Sequence, residues 1–289
     1  MTHHDDGALR WQSLPGGEFA YYELGAPTAP LVLLQHGFPD HPKTFFPFAR
    51  HLVDAGYRAV MPFLRGYAPS TLRGPFHQKR LGEDLVELSR ALSPERAAVL
   101  VGHDWGATAA YAAVVHDPRA FRRAVTLAVP HVAAFQKNMA VSVRQQLRSG
   151  YMMFFALPFL PERIVPRNDF AFVDALWKRW SPGYVAAPDY MTELKSCLRA
   201  SMPSPLGHYR ALRSSLAPRK PSTSRPRRLI DVPLLHLHGA DDGCIAFEMG
   251  AGQDAYFAAE FHSENLPGLG HFLHLEAPGR VARRVLEFI

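Results

Sequence analysis

Five short apolar runs, each closed off by glycine, proline or a charged residue, limit this chain to a small set of folds. They are LVLLQHG (31–37), YRAVMPF (57–63), AAVLVGHD (97–104), AVTLAV (124–129) and VPLLHLHG (232–239), continuous rather than alternating in hydrophobicity. A strand with one wet face alternates; a continuous run of this length belongs to a strand covered on both faces. Helix-like segments lie among them. LGEDLVELSRAL (81–92) sets Leu81, Leu85, Leu88 and Leu92 at spacings of three and four, the alanine-rich GATAAYAAVVHD (106–117) ends before Pro118, and PGRVARRVLEFI closes the chain. Strands interleaved with helices predict an α/β fold, a mostly parallel central sheet flanked by helices. WQSL and FAYYEL near the start predict an antiparallel opening hairpin.

The rhythm breaks at 131–228, where aromatics, prolines and helix-like segments replace the strand runs, and resumes after 232. The expected organisation is a core domain from 1–130 and 229–289 with a helical cap, or lid, inserted at 131–228. A chain of 289 residues suffices for a large core with such an insertion. No apolar run approaches the ~20 residues of a membrane span, and MTHHDDGALR lacks the layout of a secretory signal. The two cysteines, Cys197 and Cys244, have neither disulfide-framework nor metal-ligand spacing. A cytoplasmic protein with no stable membrane insertion is expected. The net charge of +6 is local: 16 of the Lys and Arg residues, against 5 acidic ones, fall between Lys137 and Arg228. The densest stretch, RKPSTSRPRR (219–228), reads as a solvated basic loop, with no nucleic-acid-binding motif beside it and no nucleic acid expected as partner.

VGHDWGA (101–107) carries the chemistry. Two glycines flank Asp104 in the pattern G-x-D-x-G, after a strand run and before a helix. With serine at its centre this is the nucleophile elbow of α/β-hydrolases, a tight turn that lifts one side chain off a strand end. The bland reading of Asp104 is a helix N-cap. Three further features fall at predicted strand ends, where an open parallel sheet binds ligands. His271, in LPGLGHFLHLEAP, stands last in chain order between a final strand ending in ENLPG and the last helix, the place of a base histidine. His274 suits a surface or helix-start role, and His103 is expected to point away and serve packing or hydrogen bonding. HGADDGC offers an acid to orient the histidine; the G-x-x-D placement picks Asp242, with Asp241 the alternative. HGFPD (36–40) supplies a loop whose Phe38 N–H, with that of Trp105, forms an oxyanion hole, while His36 and Pro39 shape the loop.

A carboxylate attacking an ester or amide would only form an anhydride. Attack on a saturated carbon bearing a leaving group gives an alkyl ester, which water activated by histidine then cleaves. Asp104 therefore argues against esterase, lipase or peptidase activity and for an epoxide or an alkyl halide. A halide leaves as a weak base toward N–H donors. An epoxide oxygen leaves as a strong base and needs O–H donors from the opposite side, which calls for cap tyrosines facing Asp104.

In these motifs and their order, HGFPD, GHDWG, LHGADDG and GLGHF, the chain resembles the epoxide hydrolase family of α/β-hydrolases. GYMMFFALP resembles the segment carrying the first oxirane-binding tyrosine, at Tyr151, and PLGHYRAL the second, at Tyr209. The resemblance implies that Tyr151 and Tyr209 polarise the ring oxygen while Asp104 opens the ring, that His271 with Asp242 activates water, and that the product is a vicinal diol with no metal or organic cofactor. It leaves a homodimer open. Gly150 stands where many relatives carry a large aromatic and Ala156 where Gln is frequent, changes that bear on pocket size and polarity. The apolar YMMFFALPFLP predicts a small hydrophobic epoxide as partner. The core motifs are shared with haloalkane dehalogenases, the nearest alternative. There a second halide donor is required, for which Trp177 or Trp180 of the cap are the candidates, although WKRW fits helix packing. A non-catalytic binder would leave the nucleophile, base and acid unexplained.

Overall fold

The computed structural model describes residues 7–215 and 229–289; the basic stretch 219–228 lies outside them. Eight strands form one sheet: β1 (Leu9–Leu14), β2 (Gly17–Leu24), β3 (Leu31–Gln35), β4 (Arg58–Pro62), β5 (Ala98–His103), β6 (Phe121–Leu127), β7 (Leu234–Gly239) and β8 (Phe261–Leu266). Their order is β1-β2-β4-β3-β5-β6-β7-β8. β1 and β2 form the expected antiparallel hairpin, β2 meets β4 antiparallel, and every other pairing is parallel.

The continuous apolar runs are explained by where alternate side chains go. Val32 and Leu34 of β3, Val99 and Val101 of β5, and Leu235 and Leu237 of β7 belong to one buried cluster. Leu31, Leu33, Leu100 and Leu234, their neighbours in sequence, belong to the other. Both faces are covered, so positions along these strands are mostly apolar, and the polar ones, Gln35, His103, His236 and His238, are buried with hydrogen-bond partners. β6 begins at Phe121 rather than Ala124, and the backbone leaves the sheet at Ala128, where φ is 65°. β8 is an edge strand whose His262, Ser263 and Asn265 are exposed, which is why only its end carried an apolar signal.

The helices are α1 (Phe46–Asp54), α2 (Gln78–Leu92), α3 (Trp105–His116), α4 (Val132–Met139), α5 (Val143–Arg148), α6 (Gly150–Phe155), α7 (Leu160–Ile164), α8 (Arg167–Trp180), α9 (Pro188–Ser201), α10 (Leu206–Ser215), α11 (Leu273–Glu276) and α12 (Pro278–Phe288). α4 to α10 all lie between β6 and β7, which are themselves neighbours in the sheet. Among the described residues no helix is long and apolar enough to cross a membrane.

The chain leaves β3 for β4 on one side and returns to β5 on the other, so the loops after β3 and β5 diverge from adjacent strand ends. In an open α/β sheet this is the switch point where ligands bind. A buried ion pair braces the nearby edge. Arg65, after β4, is 2% exposed and makes a two-point contact with Asp84 of α2, at 2.6 Å and 2.7 Å, while also donating to Gly16 O in the β1–β2 turn and to Arg73 O. Removing one partner strands a buried charge. Asp84→Ala is expected to cost about 3–5 kcal/mol, read as a lower urea midpoint at unchanged slope. The double change Arg65→Met with Asp84→Leu is expected to recover much of that loss; a midpoint equal to wild type in the single variant contradicts the bracing role.

Candidate active site

Asp104 sits at the turn from β5 into α3 with φ 51° and ψ −117°, a conformation L-residues rarely adopt. Its side chain makes no capping bond to α3, so the helix-cap reading fails. The turn is possible because its flanks lack a Cβ: one on Gly106 would lie 2.0 Å from Gln35 O, and one on Gly102 would lie 2.2 Å from Gly106 O. The end of β3 therefore touches the elbow directly. The loop after β3 comes with it, and the Phe38 N–H donates to Asp104 Oδ1 at 2.8 Å. A methyl placed on Gly37 would lie 2.3 Å from that oxygen and 2.6 Å from the Trp105 nitrogen, so both backbone nitrogens border one small space around the carboxylate.

His36 and Pro39 anchor this loop from either side. His36 donates from Nδ1 to Gly37 O and accepts at Nε2 from the Leu64 N–H at 3.0 Å. The carbonyl of Pro39 accepts from the Trp177 indole N–H at 3.0 Å. The Phe38–Pro39 bond is cis.

On the other side of Asp104 stands His271. Its Nε2 is 3.6 Å from Asp104 Oδ2, too long for a hydrogen bond, and its Nδ1 is 2.8 Å from Asp242 Oδ2. The second Asp242 oxygen accepts from the Cys244 N–H at 2.6 Å and the Ile245 N–H at 3.0 Å. Of the two adjacent acids, Asp242 faces the histidine; Asp241 is exposed and braces the loop through its N–H to Leu269 O at 2.8 Å. Burial opposes charge on both members of the His–Asp pair, but each outweighs it for the other. Asp242, held by His271 and the N–H donors, lies below the usual carboxylate range. His271, facing Asp242 and then Asp104, is pushed up to about 10.

Tyr151 of α6 and Tyr209 of α10 line the same cleft as Asp104 and Trp105, with otherwise mainly apolar walls from Val129, Phe135, Met139 and Leu212. Their rings are 6.0 Å apart. The Tyr151 hydroxyl contacts Cys244 Sγ at 3.3 Å. That of Tyr209 has no well-formed hydrogen bond among the described residues, although the Trp105 side chain and Tyr151 lie near it. Burial, with nearby negative groups including Asp104, raises both phenols well above their usual value, so both stay protonated donors. A second cavity shares Met139, Met152, Tyr209 and Leu212 and is bordered by Ala156. A Cβ on Gly150 would meet nothing within 4 Å.

Two placements differ from expectation or were not anticipated. His274 is fully buried rather than at the surface, its Nε2 2.7 Å from Thr44 Oγ1 and its ring stacked on Phe45, because α11, in whose first turn it lies, packs inward against the segment before α1. The C-terminal end of α8 also does more than pack: the carbonyl of Trp180 accepts from both the His271 N–H (3.1 Å) and the Gly243 N–H (3.0 Å). Ser181 Oγ accepts from the Phe272 N–H and donates to Glu276 Oε1 at 2.6 Å. A backbone carbonyl leaves no sequence signature, so this tie was not readable beforehand. Asp242, Cys244 and His271 also lie close enough to hold a metal ion, as do Asp40, His103 and His274, but the first set is already engaged in hydrogen bonds within the protein.

The sequence profile described as Alpha/beta hydrolase family matches residues 31–284. Epoxide hydrolase 3 of Xenopus tropicalis is 30% identical over 306 aligned positions, covering 100% of this chain and 78% of that protein. Epoxide hydrolase 4 of Homo sapiens is 27% identical, covering 95% and 76%. The crystal structure of Bacillus megaterium epoxide hydrolase in complex with an inhibitor superposes with a TM-score of 0.81 at 22% identity, over 96% of this chain and 99% of that one, a likeness of fold.

The electrostatics of the site give a pH prediction. His271 binds its proton more tightly folded than unfolded, so its contribution to stability is complete below about 6.5 and fades as pH rises toward about 10. Asp104→Asn removes one negative neighbour. The His271 ring titration, followed by NMR, is expected to move to lower pH in that variant, and the alkaline loss of stability to move with it. An unchanged titration shows that the two side chains do not interact.

Proposed function

This chain belongs to the epoxide hydrolase family of the alpha/beta hydrolases, and we propose that it converts a hydrophobic epoxide and water into a vicinal diol through an ester on Asp104. The observation that carries this reading is the disposition of one carboxylate: Oδ1 on the Phe38 N–H, Oδ2 turned toward His271, and two protonated phenols in the same apolar cleft.

In the first step Oδ2 attacks a ring carbon. The C–O bond breaks, and the departing oxygen takes hydrogen bonds, then a proton, from the cap hydroxyls of Tyr151 and Tyr209. Neutral phenols suit a strongly basic alkoxide, and their raised pKa values keep them protonated. The product of this step is a neutral ester with Oδ1 as its carbonyl oxygen, already at the Phe38 N–H. Esterification also removes the negative charge facing His271 Nε2. The ring loses part of what held its proton affinity up, so its proton passes through solvent to the phenolate left by ring opening; this restores the phenol and leaves Nε2 a base once an ester exists to be hydrolysed. Nε2 then takes a proton from water, the resulting hydroxide adds to Cγ, and the charge gathers on Oδ1 between the Phe38 and Trp105 N–H groups. Collapse releases the diol and leaves one water-derived oxygen on Asp104.

Halide as the leaving group would require paired N–H donors in the cleft. Trp177 commits its indole N–H to Pro39 O, Trp180, whose indole N–H has no hydrogen-bond partner among the described residues, is not among the residues lining the cleft, and the loop position that would carry a second donor is Phe38. The cleft's apolar walls favour aromatic or fatty epoxides over small polar ones.

Single turnover of styrene oxide in heavy-oxygen water is expected to place label in the Asp104 peptide, read by mass spectrometry; diol formed without label contradicts the ester. His271→Gln is expected to accumulate the ester as a mass increase on that peptide. Tyr151→Phe with Tyr209→Phe is expected to slow ring opening by roughly 10²-fold or more with the fold intact. Near-normal diol formation by that double variant removes the tyrosines from the mechanism. Gly37→Ala, which drives a methyl against Oδ1, is expected to lower kcat by roughly 10²–10³-fold.

A further inference from the structure

His271 stands on a short loop between β8 and α11, and three successive backbone N–H groups of that loop are each captured. The Gly270 N–H donates to Glu276 Oε2 at 2.7 Å, the His271 N–H to Trp180 O at 3.1 Å and the Phe272 N–H to Ser181 Oγ at 3.1 Å. The Ser181 hydroxyl in turn donates to Glu276 Oε1 at 2.6 Å. All four lie within ordinary hydrogen-bond length. The two oxygens of one side chain thus hold the residue before His271 directly and the residue after it through Ser181. Glu276, the last residue of α11, takes no part in the proposed reaction.

The donors and acceptors fix how this clamp is wired. The Phe272 N–H can only donate, so Ser181 Oγ turns a lone pair toward it. The hydroxyl has one hydrogen, and Ser181 is 1% exposed, so that hydrogen needs an acceptor inside the protein. Glu276 Oε1 supplies it. Two donors, an O–H and an N–H, therefore approach the same carboxyl group, one at each oxygen. An amide there would offer a single acceptor oxygen. It would either set its own NH₂ against the Gly270 N–H or leave the Ser181 hydrogen unmet.

The surrounding packing leaves the loop no room to shift. A Cβ on Gly270 would lie 2.7 Å from Ser181 Cα and 2.9 Å from Trp180 O, so the His271 loop is pressed against the end of α8. The other polar atoms of His271 are held as well. Its carbonyl accepts from His103 Nε2 at 3.0 Å, and its Nδ1 is bonded to Asp242 at 2.8 Å. Nε2 is the exception, without a hydrogen-bond partner among the described residues and 3.6 Å from Asp104 Oδ2. Asp242 orients the ring; the clamp fixes the backbone from which the ring hangs.

We propose that Glu276 is a positioning residue for His271, acting through Gly270 and Ser181 to set where Nε2 meets the water that attacks the Asp104 ester. The placing of the ring is independent of the proposed reaction; the effect on turnover rests on the reading of His271 as the base. The role divides the two chemical steps. Ring opening uses Asp104, Tyr151 and Tyr209, none of which Glu276 or Ser181 bonds. Ester hydrolysis uses Nε2, and a displaced base slows its own step alone.

Two measurements on the full chain test this in Glu276→Gln, which keeps the side chain's shape, and in Ser181→Ala, which removes the link to Phe272. The first follows the ring ¹⁵N resonances of His271 at neutral pH in ¹⁵N-histidine-labelled protein, identified by their loss in His271→Gln. They are expected to move in both variants; resonances unchanged in both overturn the proposal whatever the enzyme's activity. The second is single turnover of styrene oxide with rapid quenching, run below each variant's thermal midpoint. Ring opening is expected to stay within about twofold of wild type while decay of the Asp104 ester slows on the order of tenfold, so that the ester accumulates as a mass increase on the Asp104 peptide. Equal slowing of both steps, or of neither, overturns the positioning role. Absence of the ester in wild type and in His271→Gln alike defeats the reading of the reaction instead, and the ring resonances then decide the clamp.

Discussion

The contact on which the site depends is the approach of two backbones, the end of β3 against the first turn of α3. There is room for it only because Gly106 has no side chain to strike Gln35 O. The same approach puts the Phe38 N–H on Asp104 Oδ1 at 2.8 Å. The carboxylate is thereby oriented, one oxygen held by a backbone dipole and the other turned toward His271. In the proposed reaction, preorganisation of this kind spares the reorganisation cost at the moment charge develops. It also explains why a strained backbone at Asp104 persists: the strands on either side over-determine it.

The second half of the site hangs from the inserted helices rather than from the sheet alone. Trp180, the last residue of α8, is a common acceptor for the His271 loop and the Asp242 loop, and Arg148 of α5 donates to the Asp242 carbonyl at 3.2 Å. Gln145 adds bonds to Cys244 O and the Ala246 N–H. α5 and α8, which lie between β6 and β7 together with the helices that carry Tyr151 and Tyr209, thus also set where His271 and Asp242 lie. Movement of those helices would be felt at His271, and this couples the two halves of the proposed reaction mechanically as well as through charge.

Electrostatics divides the buried histidines by their surroundings. His103, His274 and His36 lose their charge to burial. His271, equally buried, keeps a raised proton affinity because Asp242 and Asp104 face it. The difference is set by which side chains the fold brings opposite each ring.

The sequence by itself determined the features that local chemistry and periodicity dictate. The runs LVLLQ and AVLVG, short and bounded by glycine, read as strands covered on both faces, G-x-D-x-G between such a run and a helix read as a sharp turn, and the order Asp104, Asp242, His271 along the chain matched strand ends that the sheet then gathered. The family to which the chain belongs was legible in the same motifs. Only the tertiary structure decided the interactions made by groups without a signature of their own: the carbonyl of Trp180, the tie between Tyr151 and Cys244, the inward turn that buries His274, and the convergence of Asp40 with His103. Those partners lie tens to hundreds of positions apart. Their meeting is decided by helix docking and loop closure, which depend on the packing of the whole chain and leave no periodic trace in any one segment.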